Sequence, residues 1–455
     1  MSLARLYKKY KGIPKMLPQI NLDAQQKEAV FTEEEKVLVI AAAGSGKTRV
    51  ITERIKHLLE SGVEPQSIVA ITFTNIAAEE MKARLSGTPH LGDTFIGTIH
   101  SFANRVMRQS ESYKILTTEV EIELYKELID KYCNFITFSK YLKYRELKEG
   151  WIQGIVTEHE VRSFLTSAER GELHLLNGNI SDVEECDGLE ITDYPETIDD
   201  IRERRNVITF DELLELATNY FRNLDTGINL LVDEFQDIGV IEYNFFNSLS
   251  PKSTFLVGDD WQSIYNFKGG CVSIMLNLNK DDDYKKYYLT NNYRCSQSII
   301  NLGNDIIKQV SKRIPKEVKC CSGVEGEYLV TSKGELRTIV QNIRDEYSNE
   351  LNTWFFLVRT NKELHEVKEV MDEERLKSHI FSSEERNNSS DMEKLMKYNS
   401  IKLMTVHSAK GLENKNVILY GNFPISTPYY RRNEDERKVM YVGVTRAIES
   451  LIIMN

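Results

Sequence analysis

The hexapeptide Ala43-Gly44-Ser45-Gly46-Lys47-Thr48 has the residue types and spacing to hold phosphates. Its glycines let successive backbone N–H groups converge at the start of a helix, where the positive end of the dipole favours an anion. Lys47 is expected to reach the β- and γ-phosphates of a nucleoside triphosphate, and Thr48 to bind Mg²⁺. The usual first glycine of this pattern is Ala41 here. A second constellation, Asp233-Glu234, closes an apolar run. Carboxylates at the end of a parallel strand lie beside such a loop. Asp233 is expected to hold Mg²⁺ through water, and Glu234 to orient or deprotonate the attacking water. Hydrolysis also needs positive charge on the transferring phosphoryl group. Arg294 in Asn292-Tyr293-Arg294 and Arg446 in Val444-Thr445-Arg446-Ala447 are the candidates. The implied chemistry is ATP hydrolysis.

These residues need elements to carry them. Val37-Leu38-Val39-Ile40 reads as a buried strand, followed by the glycine-rich turn and a helix over 48–59. Ser67-Ile68-Val69-Ala70-Ile71-Thr72-Phe73 is a second strand with a helix over 77–85 behind it, and Asn229-Leu230-Leu231-Val232 and Thr254-Phe255-Leu256-Val257 are further strands. Strands alternating with helices predict a parallel sheet covered by helices. Residues 104–205 lose this rhythm and are rich in Tyr, Lys, Glu and Leu at helical spacing, so a helical insertion is expected there. A second alternating set begins near Tyr284 and includes Trp354-Phe355-Phe356-Leu357-Val358, Ile401-Lys402-Leu403-Met404 and Val417-Ile418-Leu419. The polar stretch Ser382-Ser383-Glu384-Glu385-Arg386-Asn387-Asn388-Ser389-Ser390 reads as a loop.

A chain of 455 residues is too long for one core, and 41% hydrophobic with 28% charged residues suits a soluble protein. No apolar run reaches membrane-spanning length, and Lys8, Lys9 and Lys11 lead into no apolar stretch, so neither a membrane span nor a secretory signal is expected. The six cysteines, Cys133, Cys186, Cys271, Cys295, Cys320 and Cys321, lack zinc-ligand spacing and are expected to be free thiols in a reducing cytoplasm. The net charge of -11 argues against a wholly basic nucleic-acid binder, but a large motor needs only a positive groove.

Taken in order, the motifs resemble the UvrD/Rep/PcrA family of superfamily 1 helicases, over 22–452. Leu22-Asp23-Ala24-Gln25-Gln26 is similar to the family's Q motif, Thr72-Phe73-Thr74-Asn75-Ile76-Ala77-Ala78 to motif Ia, and Gly97-Thr98-Ile99-His100-Ser101-Phe102 to the next DNA-contacting motif. Asp233-Glu234-Phe235-Gln236-Asp237 resembles motif II, Gly258-Asp259-Asp260-Trp261-Gln262-Ser263-Ile264-Tyr265 motif III, and Asn292-Tyr293-Arg294 motif IV. Thr405-Val406-His407-Ser408-Ala409-Lys410-Gly411-Leu412-Glu413 resembles motif V, and Tyr441-Val442-Gly443-Val444-Thr445-Arg446-Ala447 motif VI.

The resemblance implies an α/β fold with two RecA-like parallel-sheet domains and a helical insertion, 1B. The first domain, 1A, would take 1–103 and 206–275, the insertion 104–205, and the second domain, 2A, 276–455. It implies that Gln26 contacts the adenine, that Tyr293 and Arg49 sandwich it, and that Glu413 meets the ribose. Gln262 would sense the γ-phosphate and couple it to DNA, with Arg294 and Arg446 arriving from the second domain. Phe73, Asn75, His100, Tyr265, Phe267 and His407 would contact single-stranded DNA, where aromatic faces stack on bases without reading sequence. The implied mechanism is a cleft that closes on ATP and opens after hydrolysis, stepping 3′ to 5′ along one strand toward single-strand/duplex junctions.

The chain departs from the family pattern at several places. Ile76 replaces the usual Lys of motif Ia, Lys268 an Arg, Glu242 a Gln, and Asn414 an aromatic. Lys268 is a point charge and would lose a bidentate contact. Residues 362–400 stand where the family carries the large 2B insertion, with room for a helix, a strand and a loop. No room is expected after motif VI for a RecB-type nuclease domain. Three activities follow as expectations: an autonomous helicase or translocase, a motor subunit beside a nuclease in an anti-phage complex such as Gabija, and a non-catalytic ATP-gated DNA clamp. The clamp would call for damage at Lys47, Glu234 or the arginines, and all are intact.

Overall fold

The computed structural model describes residues 22–152, 158–178, 196–265, 269–381, 394–424 and 434–455. The loop expected at 382–390, the residues Phe267 and Lys268, and Cys186 lie outside the described residues.

Six short strands build the first sheet: Lys36–Ala41 (β1), Ile68–Thr72 (β2), Phe95–Thr98 (β3), Asn229–Val232 (β4), Ser253–Gly258 (β5) and Lys285–Leu289 (β6). The order is β3-β2-β4-β5-β1-β6, and every pairing is parallel. After its first residue β1 is buried throughout, as are β2 and β4. A strand covered by helices on both faces needs a continuous apolar run and not an alternating one. The register pairs Lys36 with Thr254 and Ile40 with Gly258, so β1 and β5 end together.

The second sheet holds Glu327–Thr331 (β7), Trp354–Val358 (β8), Ser378–Ile380 (β9), Ile401–Thr405 (β10), Asn414–Tyr420 (β11) and Ala447–Met454 (β12), ordered β7-β12-β11-β8-β10-β9 and again parallel. Successive residues of β8 serve opposite faces. Phe356 and Val358 pack with Val340, Ile343, Val367 and Met371 from the helices Leu336–Tyr347 and Asn361–Glu373. Phe355 and Leu357 pack with Ile299, Ile300 and Met440 from the helices Gln297–Ile307 and Glu434–Val444. That second cluster also takes in Ala42, Ala43, Trp261 and Ile264, which follow strands of the first sheet. One apolar core therefore runs from the phosphate loop into the second sheet. The α/β class with two parallel sheets is the one expected.

The boundary between the sheets differs from expectation. The second alternating set was expected near Tyr284, with the first domain ending at 275. Instead β6 pairs with β1 from Val37↔Lys285 to Ala41↔Leu289 and forms the edge of the first sheet. Its sequence, Lys-Lys-Tyr-Tyr-Leu, is buried only at Leu289, so it carries no apolar run to mark it.

The chain has two compact units, one of them His100–Tyr220. That unit is helical, with Thr118–Tyr132, Phe138–Ile152, Glu158–Phe164, Ser167–Leu176 and Ile198–Arg204 among its helices, closed by a two-stranded pair of Lys114–Ile115 and Val207–Ile208. Leu124, Leu128, Leu165, Leu173, Leu176 and Ile201 form its core. Thr117, Thr166 and Thr197 cap three of its helices by accepting a backbone N–H. Buried Glu172 accepts the N–H groups of Asn134 at 2.6 Å and Ile136 at 2.8 Å, which satisfies a turn that has no helix to donate to. Among the described residues no helix is long and apolar enough to cross a membrane.

Candidate active site

The loops that leave the carboxyl ends of β1, β4, β5 and β6 converge, which is where parallel sheets place their ligands. The phosphate loop leaves β1 with Gly44 and Gly46 at positive φ, 64° and 85°, and Gly46 begins the helix Lys47–Glu60. A Cβ on Gly44 would lie 2.8 Å from the Arg294 Cβ and 2.8 Å from the Asn292 side-chain nitrogen, so this position requires glycine for close approach as well as for φ. Asn292 donates to the Ala43 carbonyl at 2.7 Å, and the Tyr293 N–H donates to the Gly44 carbonyl at 3.0 Å. The loop is thus clamped by the segment that follows β6.

Gln26 lies against the other side of the loop. It is buried, closes a capping box with Asp23, and donates its amide to the Ser45 carbonyl at 3.0 Å. Asp23 accepts from Asn291 at 3.0 Å and from the Tyr293 hydroxyl. Burial, reinforced by the Asp23 carboxylate, pushes the Tyr293 phenol up to about 12. Arg49 and Thr48 occupy the first turn of the helix behind the loop, both partly exposed.

Asp233 and Glu234 leave β4. Glu234 sits in the left-handed region at φ 50°, a strained choice for this residue that turns its carboxylate toward Lys47, 3.8 Å away. Burial would raise the Glu234 carboxyl, but Lys47 and then Lys410 outweigh it and hold it below the usual carboxylate range. Burial and then the neighbouring Glu234 charge push Asp233 up. The two adjacent carboxylates repel each other, and Lys47 with Lys410 favours charge on Glu234 over charge on Asp233. Among the described residues no cluster of three or more His, Cys, Asp or Glu is placed to hold a metal by itself. This donor set suits Mg²⁺, which binds through one or two carboxylates and substrate phosphates. Asp233 and Thr48 are the residues that could hold it.

Across from these groups, β5 ends in Asp259, Asp260, Trp261 and Gln262. Gln262 donates to Asp259 at 2.6 Å and accepts from the Arg446 guanidinium at 2.9 Å. Arg446 is fully buried; it also donates to the Val442 carbonyl at 2.9 Å and the Leu412 carbonyl at 3.1 Å. Burial, with Arg294 nearby, lowers its pKa to about 10, so it stays charged at neutral pH. Arg294 forms an ion pair with Glu413 and donates to the Thr445 carbonyl at 3.3 Å. Arg446 belongs to the second sheet's side, at the foot of β12, as expected. Arg294 does not: it follows β6 of the first sheet and reaches toward Glu413 and Thr445.

Several residues of this site were not singled out from the sequence. Lys410 pairs with Asp237 and donates to the Gln262 carbonyl at 2.7 Å, joining the loops after β10, β4 and β5. Tyr441, fully buried, hydrogen-bonds the Ala43 backbone and meets Trp261 edge-on at 5.6 Å. Both lie inside motifs already recognised, so their positions were visible but their partners were not. Lys316 had no motif signal at all. Its ammonium lies 2.7 Å from Asp259 and 2.8 Å from Asp260, all three side chains fully buried, with the Trp261 ring 4.6 Å away.

The aromatic candidates fall into two groups. Phe73, 41% exposed, stacks on Tyr265 at 5.4 Å and 13°. Tyr265 donates its hydroxyl to the His407 carbonyl at 3.1 Å, and the two rings lie 6.3 Å apart. Asn75, at the start of the helix Asn75–Leu85, is exposed. His100 lies in the helical unit, where its ring meets exposed Phe210 at 4.9 Å.

Two parallel sheets whose loops share one nucleotide-type site define a phosphate-loop nucleotide-binding fold. Residues 22–283 match the UvrD/REP helicase N-terminal domain, more than half of the chain, and residues 379–455 match the UvrD-like helicase C-terminal domain, so the chain belongs to the UvrD/REP helicase family. It is 29% identical to the ATP-dependent DNA helicase PcrA of Staphylococcus epidermidis, over 79% of this chain and 50% of that protein. It is 28% identical to PcrA of Staphylococcus aureus over the same shares. A probable DNA helicase of Mycoplasma pneumoniae is 27% identical over 96% of this chain and 83% of its own length. The chain thus spans about half the length of the staphylococcal relatives.

Proposed function

We propose that this protein is an ATP-dependent translocase on single-stranded DNA that unwinds duplex from a single-strand/duplex junction, moving 3′ to 5′. The observation that carries the reading is the joined site: Lys47 is 3.8 Å from Glu234 on one side, and Arg446 is 2.9 Å from Gln262 on the other. ATP lies on the Ala43-Gly44-Ser45-Gly46 backbone, with Tyr293 and Arg49 on the base, Gln26 at its edge and Glu413 at the ribose. Mg²⁺, when bound through Thr48 and Asp233, supplies charge neutralisation on the phosphates. Glu234 takes the proton of the attacking water, and Arg446 with Arg294 stabilises charge on the γ-phosphoryl group. Gln262 and Lys410 connect that event to the strand-facing ladder of Phe73, Tyr265 and His407. The relatives' names, DNA helicase in each case, support the substrate class.

Unwinding of 3′-tailed duplex by the isolated chain, with 5′-tailed duplex left intact, tests this. Equal activity on both tails would refute the polarity, and none on either would reduce the protein to a translocase. A second reading, a motor working beside a nuclease partner in cytoplasmic defence or repair, is favoured by the segment between β8 and β10. It holds the helix Asn361–Glu373 and β9 where 2B would stand. Co-purification of a nuclease with the tagged chain supports it.

A further inference from the structure

The turn after β5 is held by the segment 314–316 at four points. The Ile314 N–H donates to Asp260 at 2.7 Å, and the Trp261 ring nitrogen donates to the Ile314 carbonyl at 3.1 Å. The Lys316 ammonium donates to Asp259 at 2.7 Å and to Asp260 at 2.8 Å. The first two contacts hold the turn without burying a cation. The second two bury one, and desolvation offsets much of what a buried ion pair gains, so stability alone does not account for a lysine here. Burial opposes charge on Lys316, but Asp259 and then Asp260 outweigh it and raise its pKa.

One bond further on, Asp259 uses its two oxygens differently. Oδ1 meets Lys316, and Oδ2 accepts from the Gln262 amide nitrogen at 2.6 Å. An ion-paired carboxylate only accepts, so the Gln262 amide turns its NH₂ toward Asp259. Its carbonyl oxygen then faces the other way, where it accepts from the Arg446 guanidinium at 2.9 Å. A guanidinium only donates, so a reversed amide would set donor against donor. All four side chains are buried, which leaves the order Lys316, Asp259, Gln262, Arg446 little freedom to rearrange. We propose that Lys316 is a positioning residue for hydrolysis: through Asp259 it sets which end of the Gln262 amide meets Arg446, and so where that guanidinium stands. This rests on the ATPase reading, in which Arg446 meets the γ-phosphoryl group.

Steady-state turnover of MgATP by the full chain tests it, in a double-mutant cycle. Rates are taken per ADP-binding site, counted by titration, so unfolded protein does not enter. Gln262→Ala should lower kcat by about 10²-fold. Lys316→Met removes the ion pair, and Asp259→Asn offers Gln262 an amide that can donate as well as accept. Each should lower kcat by about ten-fold or more while ADP, which has no γ-phosphate, binds as before. Either change added to Gln262→Ala should lower kcat no further, because the amide it positions is gone. Asp259→Asn carries the same test should Lys316→Met fail to fold. Losses that multiply with that of Gln262→Ala, or a kcat within about two-fold of wild type in the single variants, would overturn the positioning role. A wild type that turns over no ATP, or Gln262→Ala at the wild-type rate, would overturn the ATPase reading and the proposal with it.

Discussion

At the scale of residues, the site is a set of charges that hold one another in place. Glu234 is held ionised by Lys47 and Lys410, which is the state a base requires. Glu234→Gln preserves shape and removes the proposed base, so phosphate release should fall by about 10²-fold or more while nucleotide titration shows binding retained. Turnover near the wild-type rate would transfer the base role elsewhere. Phe73 offers a different kind of test. One face of its ring is covered by Tyr265, and its exposure leaves the other for a base. Phe73→Ala should weaken single-stranded DNA binding by about 1–3 kcal/mol, read by anisotropy, without altering nucleotide affinity. An unchanged DNA affinity would mean that the stack serves packing only. Lys47, Asp233 and Glu234 were legible because their motif is local. Lys316 was not, since its carboxylate partners lie some 56 residues earlier in the chain and nothing in its own neighbourhood marks it.

At the scale of elements, central strands were legible and edges were not. β1, β2, β4 and β8 are buried on both faces and read as apolar runs. β6 has one buried residue and β7 has none, and both are sheet edges, so nothing in their sequence showed that the segment near Tyr284 joins the first sheet, and the first domain's limit was misplaced. The loop after β5 depends on the buried Lys316 pairs for its shape. Lys316→Met leaves the buried carboxylates of Asp259 and Asp260 without their ion-pair partner and should cost about 3–5 kcal/mol in urea denaturation. A cost below about 1 kcal/mol would show that the loop does not depend on them. β10 contains a buried lysine, Lys402, whose ammonium donates to the Tyr398 carbonyl at 2.6 Å and the Ser400 carbonyl at 2.8 Å. Burial lowers its pKa to about 8. The unfolded chain therefore binds more protons at this site than the folded chain between pH 8 and the ordinary lysine value near 10.4, and its contribution to stability rises with pH across that window. Lys402→Met should flatten that rise, measured as the difference between the two proteins' denaturation midpoints at both ends of the window. Parallel pH profiles would contradict the assignment.

At the scale of the whole molecule, the two sheets share a core and a site. Ala42, Ala43 and Trp261 from the first sheet's loops pack with Met440 and Tyr441 beside the second. Lys410 and Arg446 cross to Asp237 and Gln262. The loops after β4 and β5 are thereby connected to the second sheet, and through Tyr265 to Phe73 and His407. The expected division of the site was half legible: Arg446 stands on the far side, while Arg294 travels with β6 and the phosphate loop. The central claim is that ATP turnover and single-stranded DNA meet in this one arrangement. It is tested most directly by the ATPase rate of the full chain with and without a single-stranded oligonucleotide. The account predicts a rise of about ten-fold or more on adding DNA, equal to about 1.4 kcal/mol off the barrier, and no rise in Glu234→Gln. A rate indifferent to single-stranded DNA would contradict it.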